Sequence, residues 1–431
     1  MKSASLQSRK ETLLADLQAC RIGTLNLVAD LDRDTLCRQA HPEFSPIGWH
    51  LGHIAFTEAL WILQHLANLA PQFREYQRLF AADGLPKAHR QDLPSQDFLL
   101  TYLATIREQV LAYLRQIAPD QLQSQERLWH WLIQHESQHN ETIAFILQLH
   151  RWRSPYLSFS QPETLTGVAF PKMVEIPAGE ILLGSNDLCA QDNERPAYPV
   201  YVPRFWLDRY PVTCAQYRDF TAAGGYQRRD WWSEAGWQWL QLNPVSQPLY
   251  WSNSPDWDNH PVCGVSWYEA DAYARHLGKR LPTEAEWEKA ASCHPHKGKQ
   301  TYPWGEMPPS PKLCNYNTLV GHTTPVNAYP LGQSASGCYD LLGNVWEWTA
   351  SDFVHYPDFQ SYPYQGYSQT YFDRQHRVLR GGSWATRPWG LRASFRNWYH
   401  PWVRQILAGF RCAKDVSDSK RTNSAMEQSS D

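Results

Sequence analysis

The chain has 431 residues, a length that predicts two domains rather than one small core. Its 40 Lys and Arg residues against 43 Asp and Glu residues give a net charge of -3, which gives no support to a surface that binds nucleic-acid phosphates or anionic membranes. The sequence contains 21 Trp and 30 Pro, and only 19% of its residues are charged. This composition is typical of a compact, aromatic-rich globular protein and excludes a disordered or coiled-coil chain.

The cysteines indicate the redox compartment. There are nine of them, an odd number, and they are scattered without any CxxC pair. This pattern argues against a secreted disulfide framework and predicts a reducing cytoplasm. The first 20 residues lack the apolar core of a signal peptide, and no run of about 18 uncharged apolar residues occurs in the sequence. We therefore expect a cytoplasmic protein with neither a membrane nor a nucleic acid as partner.

The first 152 residues predict a helical domain. Leu, Ala and Gln are frequent, and apolar positions recur every three or four residues. Four helices are predicted: one over 11–30, one that opens with a Ser45 cap and Pro46 at its first position, one over 95–116 and one over 124–150. Four helices of this length predict a bundle, and the interior of a bundle is a common place for a metal site.

The sequence changes character after the helical domain. Residues 153–172 are rich in Pro and Ser and lose the helical periodicity, which predicts a linker. Residues 173–415 combine short strand-like segments with many Gly, Pro and Trp, which predicts an α+β domain with few regular elements. Residues 416–431 are polar and charged and predict a disordered tail. Local signals in the second domain predict two strands, at 174–176 and 180–183, capping boxes at Thr213, Ser266 and Thr283, and a helix C-terminus at Gly278.

Two histidines in the last predicted helix have the spacing of metal ligands. His135 and His139 lie four residues apart, so their Cβ atoms share one face at a separation of about 5–6 Å. Both rings can therefore reach one ion at about 2.0–2.1 Å. A third ligand is expected from the helix after Ser45, where His53 and His50 both fit and periodicity does not choose between them.

Three neutral imidazoles leave the charge of a divalent ion uncompensated and leave coordination positions open. Such a site favours an anionic ligand such as a thiolate, together with a small molecule like O2. Zn²⁺ suits these ligands as well as iron does, so ligand type alone does not choose the metal.

The same segment also matches the zinc-protease motif HExxH, in which Glu136 would act as the general base. The extended form of that motif requires Gly and His at two later positions, where this sequence has Thr142 and Phe145. The sequence therefore disfavours a protease.

Several strings resemble two known families. The N-terminal strings are WHLGH (49–53) and HESQHNE (135–141), which resemble the signature of the ergothioneine-biosynthesis sulfoxide synthases, or hercynine oxygenases. The C-terminal strings are GNVWEWT (343–349), RVLRGGSW (377–384) and AGFRCAKD (408–415), which resemble the formylglycine-generating enzymes. The resemblance covers nearly the whole chain. It implies a DinB-like four-helix bundle followed by a formylglycine-generating-enzyme/C-type-lectin-like domain.

The resemblance also implies roles for individual residues. It implies that Fe(II) is held by three histidines and that hercynine, Nα-trimethylhistidine, is bound by four other side chains. A trimethylammonium group has no hydrogen-bond donor, so aromatic faces are its natural partners. The implied metal ligands are His53, His135 and His139, and the implied hercynine-binding residues are Gln138, Asn397, Trp398 and Tyr399.

The resemblance implies only candidates for the residues that bind the second substrate, the thiol donor, and for the catalytic residue. Arg90 and Arg404 are the candidates to pair with the carboxylate of a thiol donor. The candidates for the family's catalytic tyrosine are Tyr356, Tyr362, Tyr364 and Tyr399. In the formylglycine-generating enzymes two cysteines bind copper after GGSW. Thr386 and Leu391 stand at those positions here, which excludes that chemistry.

These observations predict an oxidoreductase: a non-haem iron(II)- and O2-dependent sulfoxide synthase. It would join cysteine or γ-glutamylcysteine to the imidazole C2 carbon of hercynine. The alternatives are a selenoneine synthase with a selenium donor and a zinc-dependent DinB-like thiol transferase. A non-enzymatic alternative is a binding module with a structural metal.

Overall fold

The computed structural model describes residues 6–152 and 173–416. The predicted linker, 153–172, and all but the first residue of the predicted tail, 416–431, lie outside the described residues.

The N-terminal part is a helical bundle, as the periodicity predicts. Its helices are α1 (Leu6–Val28), α2 (Arg33–Cys37), α3 (Ile47–Glu58), α4 (Gln77–Phe80), α5 (Gln96–Gln116) and α6 (Pro119–Trp152). A π-helix, Ala59–Leu66, continues α3 without a break. The long helices α1, α3, α5 and α6 are the four predicted from the sequence, and α1 and α6 begin five residues earlier than predicted.

The starts of α3 and α5 differ in how well the sequence predicts them. Ser95 caps α5, because its hydroxyl oxygen accepts a hydrogen bond from the Phe98 amide at 3.2 Å. The predicted Ser45 cap of α3 is wrong: Pro46 occupies the N-cap position and no side chain caps the helix. The Ser45 hydroxyl instead accepts a hydrogen bond from Arg90 at 3.0 Å, a long-range contact that local sequence does not indicate.

Helix α6 is buried on nearly all sides between Leu128 and Leu149. One side packs on α1 and α3, and the other packs on the C-terminal domain, where the amide of Gln134 donates to the Cys189 carbonyl oxygen at 2.9 Å. This helix is buried on more than one face because it lies between the two domains.

Four buried charged side chains join the long helices of the bundle. Arg21 on α1 donates to Glu58 on α3 at 2.6 Å and to Glu136 on α6 at 2.8 Å. Arg107 on α5 forms ion pairs with the same two carboxylates. We call these four residues the ion cluster. Its charges balance, and each helix contributes one member, so the cluster specifies how the helices are aligned.

The C-terminal domain has short elements connected by long ordered loops. Its helices are α7 (Cys214–Ala222), α8 (Glu234–Leu242), α9 (Trp267–His276) and α10 (Glu284–Ser292). Its strands are β1 (Val174–Ile176), β2 (Gly179–Leu183), β3 (Tyr198–Val202), β4 (Phe205–Leu207), β5 (Cys293–His294), β6 (Gly298–Lys299), β7 (Trp346–Asp352), β8 (Arg377–Arg380), β9 (Asn397–Tyr399), β10 (Ala408–Gly409) and β11 (Ala413–Asp415).

The strands form two small sheets and two hairpins. One sheet has the order β1-β4-β11 and is antiparallel, and the other has the order β10-β7-β8-β9 with only β10 and β7 parallel. Strands β2 and β3 form one hairpin, and β5 and β6 form the other. Strand β9 is therefore an edge strand, and its three residues are among the four that the resemblance assigns to hercynine.

Local signals in this domain are confirmed. All three predicted capping boxes, at Thr213, Ser266 and Thr283, have both of their hydrogen bonds. Gly278 follows α9 with a φ of 61°, and the next amide, of Lys279, donates back to the Ala274 carbonyl oxygen at 2.9 Å. All nine cysteines fall within the described residues and are free thiols. None of the described helices is both long enough and apolar enough to cross a membrane.

The ion cluster yields a stability prediction. Replacing Arg107 with Met leaves two buried carboxylates to share Arg21, so we expect the free energy of unfolding to fall by about 3–5 kcal/mol. Arg275, whose ion pair with Asp271 is half exposed, is the matched control, and Arg275→Met is expected to cost less than about 1 kcal/mol. Urea unfolding of both variants measures the difference. Equal effects of the two substitutions would contradict a structural role for the cluster.

Candidate metal centre

Three imidazole rings converge at one point between α3 and α6. The Nε2 atoms of His53 and His135 are 3.2 Å apart, and those of His135 and His139 are 3.1 Å apart. One ligand nitrogen from each ring lies within 4.8 Å of the others. Nitrogens bound to one ion at about 2.0–2.1 Å have such separations. The three residues therefore fit a divalent transition-metal ion.

The structure distinguishes His53 from His50, which the sequence left open. His53 faces the other two rings, and its Nδ1 lies 2.6 Å from the Phe80 carbonyl oxygen. That carbonyl can only accept, so Nδ1 carries the proton and Nε2 keeps its lone pair for a metal. His50 lies behind His139, with a distance of 2.8 Å between the two Nδ1 atoms, and so belongs to the surroundings of the site.

The three candidate ligands are held in the form that binds metals. Burial lowers the pKa of His53 to about 4, and it lowers the pKa of His135 and of His139 well below the ordinary value. Desolvation is the largest cause in each case, because a buried imidazolium loses its hydration. All three rings are therefore neutral at physiological pH, and metal binding does not have to displace a proton from them.

An aromatic wall holds His53 in place. The Trp49 ring stacks on the His53 ring at 4.7 Å with only 10° between the planes, and its indole N–H donates to the Leu79 carbonyl oxygen at 2.7 Å. The guanidinium of Arg90 covers the other side of Trp49 at 4.1 Å. This arrangement explains why Trp49 and His53 occur four residues apart on one helix face.

The glutamate of the HExxH string points away from the three imidazoles. Both carboxylate oxygens of Glu136 bind the arginines of the ion cluster, and the hydroxyl of Thr24 also donates to this carboxylate, at 2.5 Å. A general base has to reach the water that the metal activates, and Glu136 is fully engaged inside the bundle. The geometry therefore excludes the protease interpretation.

The three imidazoles open into a cavity of about 570 Å³ that both domains line. Gln138 lines it from α6, and Asn397, Trp398 and Tyr399 line it from the edge strand β9. The Trp398 ring is held by stacking on Phe353 at 4.3 Å. The structure thus brings all four residues that the resemblance assigns to hercynine into one cavity with the three histidines.

The four tyrosine candidates separate by position. Tyr364 and Tyr399 line the cavity. Tyr356 is buried in a different core cluster, and Tyr362 lies against the guanidinium of Arg127 at 3.9 Å, so neither of these two lines the cavity. Burial raises the pKa of Tyr364 to about 12, so its phenol stays protonated.

Two further tyrosines, which sequence reasoning did not identify, line the cavity. Tyr367 donates a hydrogen bond to the side-chain oxygen of Gln138 at 2.8 Å, and Tyr371 lies beside Arg90. Both belong to residues 362–371, which we call the tyrosine segment because it contains four tyrosines. That local density of tyrosines was the signal available in the sequence.

A buried aspartate clamps the tyrosine segment. Asp192 accepts hydrogen bonds from the Ser368 hydroxyl at 2.5 Å and from the Tyr362 amide at 3.2 Å. Its neighbour Asn193 donates to the Ser368 oxygen at 3.0 Å. Burial raises the pKa of Asp192 to about 6. The loop that carries Asp192 also contacts α6, where the amide of Gln191 donates to Gln134 at 3.2 Å.

The two arginine candidates lie in different places. Arg90 lines the cavity, although its guanidinium also binds the carbonyl oxygens of Leu85 and Ala82. Arg404 does not line the cavity: it forms an ion pair with Glu269 at 3.1 Å and donates to the Gln247 carbonyl oxygen. The expectation that Arg404 contacts the site is therefore corrected, because a buried carboxylate from α9 already holds it.

Glu141 connects the metal-ligand helix to the C-terminal domain. Its carboxylate accepts a hydrogen bond from the Trp346 indole at 2.8 Å and from the hydroxyls of Ser383 and Thr386. Thr386 stands at one of the positions where the formylglycine-generating enzymes carry copper-binding cysteines. Glu141 also lines the cavity, so this contact lies beside the site.

Comparisons with known proteins agree with this architecture. Residues 16–143 match the DinB superfamily, and residues 158–416 match the sulfatase-modifying factor enzyme 1-like domain. The predicted fold class is confirmed. The fold and the site define a two-domain protein in which a DinB-like bundle supplies three histidines and a formylglycine-generating-enzyme-like domain closes the cavity over them.

The chain belongs to the hercynine oxygenase family. It is 39% identical over 428 residues to a hercynine oxygenase of Mycobacterium tuberculosis, covering 94% of this chain and 99% of the relative. It is also 39% identical over 436 residues to a hercynine oxygenase of Mycolicibacterium smegmatis, with the same coverage. The formylglycine-generating enzyme of Mus musculus is 31% identical over 299 residues, covering 58% of this chain and 76% of that enzyme.

The clamp on the tyrosine segment predicts a pH dependence of stability. Because burial raises the pKa of Asp192 from 3.8 to about 6, the folded protein binds a proton that the unfolded chain releases between these values. Stability contributed by this group is present below pH 4 and is lost as the pH rises to about 6, by about 3 kcal/mol. Urea unfolding from pH 4 to 7 measures the loss.

Asp192→Asn removes the titrating group and keeps an acceptor for Ser368. Subtracting its pH profile from the wild-type profile isolates Asp192 from other buried acids such as Asp340, whose pKa burial raises to about 7. Parallel profiles for the variant and the wild type would contradict the prediction.

Proposed function

We propose that this protein is an iron(II)- and O2-dependent sulfoxide synthase that joins a thiol donor to the imidazole C2 carbon of hercynine. The observation that carries the proposal is the convergence of three neutral imidazoles in a cavity lined by both domains. Membership of the hercynine oxygenase family supports the choice of substrate.

His53, His135 and His139 would hold the metal. Bound iron would supply the oxidising chemistry with O2, in which the C–S bond forms and the sulfur becomes a sulfoxide. The overall reaction balances as thiol plus hercynine plus O2 giving sulfoxide plus water, so one oxygen atom enters the product. The chain's own contribution is to fix three neutral nitrogens by burial and by the His53–Phe80 hydrogen bond.

Residues of β9 and α6 would bind hercynine. Trp398 and Tyr399 offer aromatic faces to its trimethylammonium group, and the stacking of Trp398 on Phe353 keeps that ring in place. Asn397 and Gln138 offer polar groups to the rest of the substrate. Hydrogen bonding by Tyr367 orients the amide of Gln138, which supports a specific binding role for that side chain.

Arg90 and the neighbouring Lys87 would form the donor side of the cavity, since both line it and both are cationic. Cysteine and γ-glutamylcysteine each carry a carboxylate for such a site, and a selenium donor remains the alternative substrate. Arg404 is not included, because it is paired with Glu269 away from the cavity. We also propose a reducing compartment such as the cytoplasm, which the free thiols of all nine cysteines support.

We propose Tyr364 as the tyrosine that donates a proton during the reaction. It lines the cavity, and its ring packs on Trp131, whose ring in turn packs on His135 at 5.1 Å. Its raised pKa keeps the proton on the phenol oxygen until the reaction develops a base strong enough to take it.

Reconstitution tests the proposed function directly. The protein is loaded anaerobically with Fe(II), mixed with hercynine and with cysteine, γ-glutamylcysteine or a selenium donor, and then exposed to O2. We expect O2 consumption that requires both substrates, and a product whose mass equals both substrates plus O2 minus water. Absence of donor-dependent O2 consumption with all three donors would refute the function.

The alternatives give different results in the same assay. Anaerobic turnover with zinc identifies a thiol transferase, and exclusive use of the selenium donor identifies a selenoneine synthase. His135→Ala should abolish metal binding and turnover together. If that variant only lowers the melting temperature of a protein that turns over nothing, the metal is structural and the protein is a binding module.

The role of Tyr364 gives a separate prediction. Tyr364→Phe removes only the phenol hydroxyl, so we expect sulfoxide formation to slow by about 100-fold or more while hercynine still binds. Tyr356→Phe is the matched control, because that hydroxyl is buried in another core cluster and has no hydrogen-bond partner within 6–152 and 173–416. Its removal should change the rate less than about 2-fold. Equal rates for the two variants would assign the proton transfer to another group. Single-turnover rates and hercynine affinity are measured for both.

A further inference from the structure

We propose that His50 positions the metal ligand His139 from behind and uses its second ring nitrogen to donate a hydrogen bond to a substrate carboxylate. The inference deepens the proposed function and rests on it for the identity of the substrates. It concerns a residue that is neither a metal ligand nor one of the residues assigned to hercynine or the donor. The argument depends on which nitrogen of each ring carries a proton.

The geometry fixes the protonation of both rings. The Nε2 atom of His139 points at the Nε2 atom of His135, at 3.1 Å, so Nε2 is the nitrogen available to a metal. A ring that binds through Nε2 carries its proton on Nδ1. The Nδ1 of His139 lies 2.8 Å from the Nδ1 of His50, which is hydrogen-bond distance. His50 must therefore accept at Nδ1, and its own proton must be on Nε2.

The remaining N–H group of His50 is buried at the wall of the cavity. His50 is only 5% exposed, it lines the cavity, and its Nε2 atom has no hydrogen-bond partner among the residues that the structure describes. A buried donor without a partner costs about 1–3 kcal/mol, so a site that keeps one is built for an acceptor that arrives with a ligand.

The charges around His50 select the kind of acceptor. Lys87 and Arg90 line the same cavity and are the cations that act electrostatically on the His50 ring. An N–H group beside two cations favours an anionic acceptor. The anionic group shared by the proposed substrates is a carboxylate, which both hercynine and the thiol donor carry.

Two conservative variants separate the two roles of His50. In His50→Asn the side-chain oxygen replaces Nδ1, so the acceptor for His139 is kept and the distal donor is lost. In His50→Gln the amide nitrogen replaces Nε2, so the distal donor is kept and the acceptor for His139 is lost. His50→Ala removes both, and thermal unfolding of all three variants establishes that they fold.

Metal affinity is measured first, with Fe(II) under anaerobic conditions and without substrates. A hydrogen bond from a neighbouring residue to a metal-ligating histidine typically contributes 10–100-fold to the metal affinity. We expect His50→Gln and His50→Ala to weaken Fe(II) binding by about 10-fold or more, and His50→Asn to stay within about 3-fold of the wild type. Wild-type affinity in His50→Ala would overturn the positioning role. This readout does not depend on turnover.

Substrate binding is measured next, anaerobically, by calorimetry on the Fe(II)-loaded protein. The probes are hercynine with its decarboxylated analogue Nα-trimethylhistamine, and cysteine with its decarboxylated analogue cysteamine. We expect His50→Asn to weaken binding of the carboxylate-bearing member of one pair by about 10-fold and to leave its analogue unchanged. The pair that responds identifies which carboxylate His50 binds.

The outcomes separate the inference from the proposed function. If His50→Asn weakens neither carboxylate ligand, or weakens an analogue as much as its parent, the donor role is overturned. If the wild-type protein binds hercynine and metal but forms no sulfoxide, the proposed function fails while the His50 measurements stand.

Discussion

The alignment of helix α6 is the constraint on which the site depends. Glu136 is the residue after His135, and its carboxylate is held inside the bundle by Arg21 and Arg107. Successive residues on a helix point about 100° apart, so fixing Glu136 inward directs His135 toward the cavity. A rotation of α6 would separate Glu136 from Arg21 and Arg107 and leave buried charges unpaired. An unpaired buried charge costs more free energy than the intact ion cluster contributes to stability. The glutamate of a protease-like string therefore serves to orient the histidine beside it.

The opposite side of α6 is fixed by the C-terminal domain. Gln134 accepts from Arg392 at 2.8 Å, and Glu141 accepts from Trp346, Ser383 and Thr386. Thr386 thus donates to a side chain of the bundle and serves contact between the two domains. The C-terminal domain thus contributes a cavity wall, while the candidate metal ligands come from the bundle.

Local sequence predicted what local interactions decide. The capping boxes at Thr213, Ser266 and Thr283 each involve residues within three positions of one another, and all three are present. Likewise, His135 and His139 share one face because they lie four residues apart on one helix. The predictions that failed depend on packing between distant segments. Ser45 binds Arg90 instead of capping α3, and Arg404 binds Glu269 instead of lining the cavity.

The choice between His50 and His53 shows the same limit. Both lie on α3 near α6, and only the Phe80 carbonyl, 27 residues further along the chain, fixes the tautomer of His53 toward the other rings. The tyrosine segment could be recognised by its composition, but its place at the cavity depends on Asp192, which is 170 residues from Tyr362.

The division of labour between the domains follows from what each fold can supply. A helix bundle can bury neutral imidazoles at fixed spacing, because α3 and α6 are rigid and the ion cluster aligns them. The aromatic faces proposed to contact a quaternary ammonium group lie outside the bundle. The C-terminal domain supplies those from an edge strand and an ordered loop, with Trp398 held by Phe353 and the tyrosine segment held by Asp192. Hydrogen bonds that Glu141 and Gln134 accept from the C-terminal domain fix the two sets of residues relative to each other. A cavity that requires both a desolvated metal site and aromatic walls is therefore built where the two folds meet, and either fold alone would present only half of it.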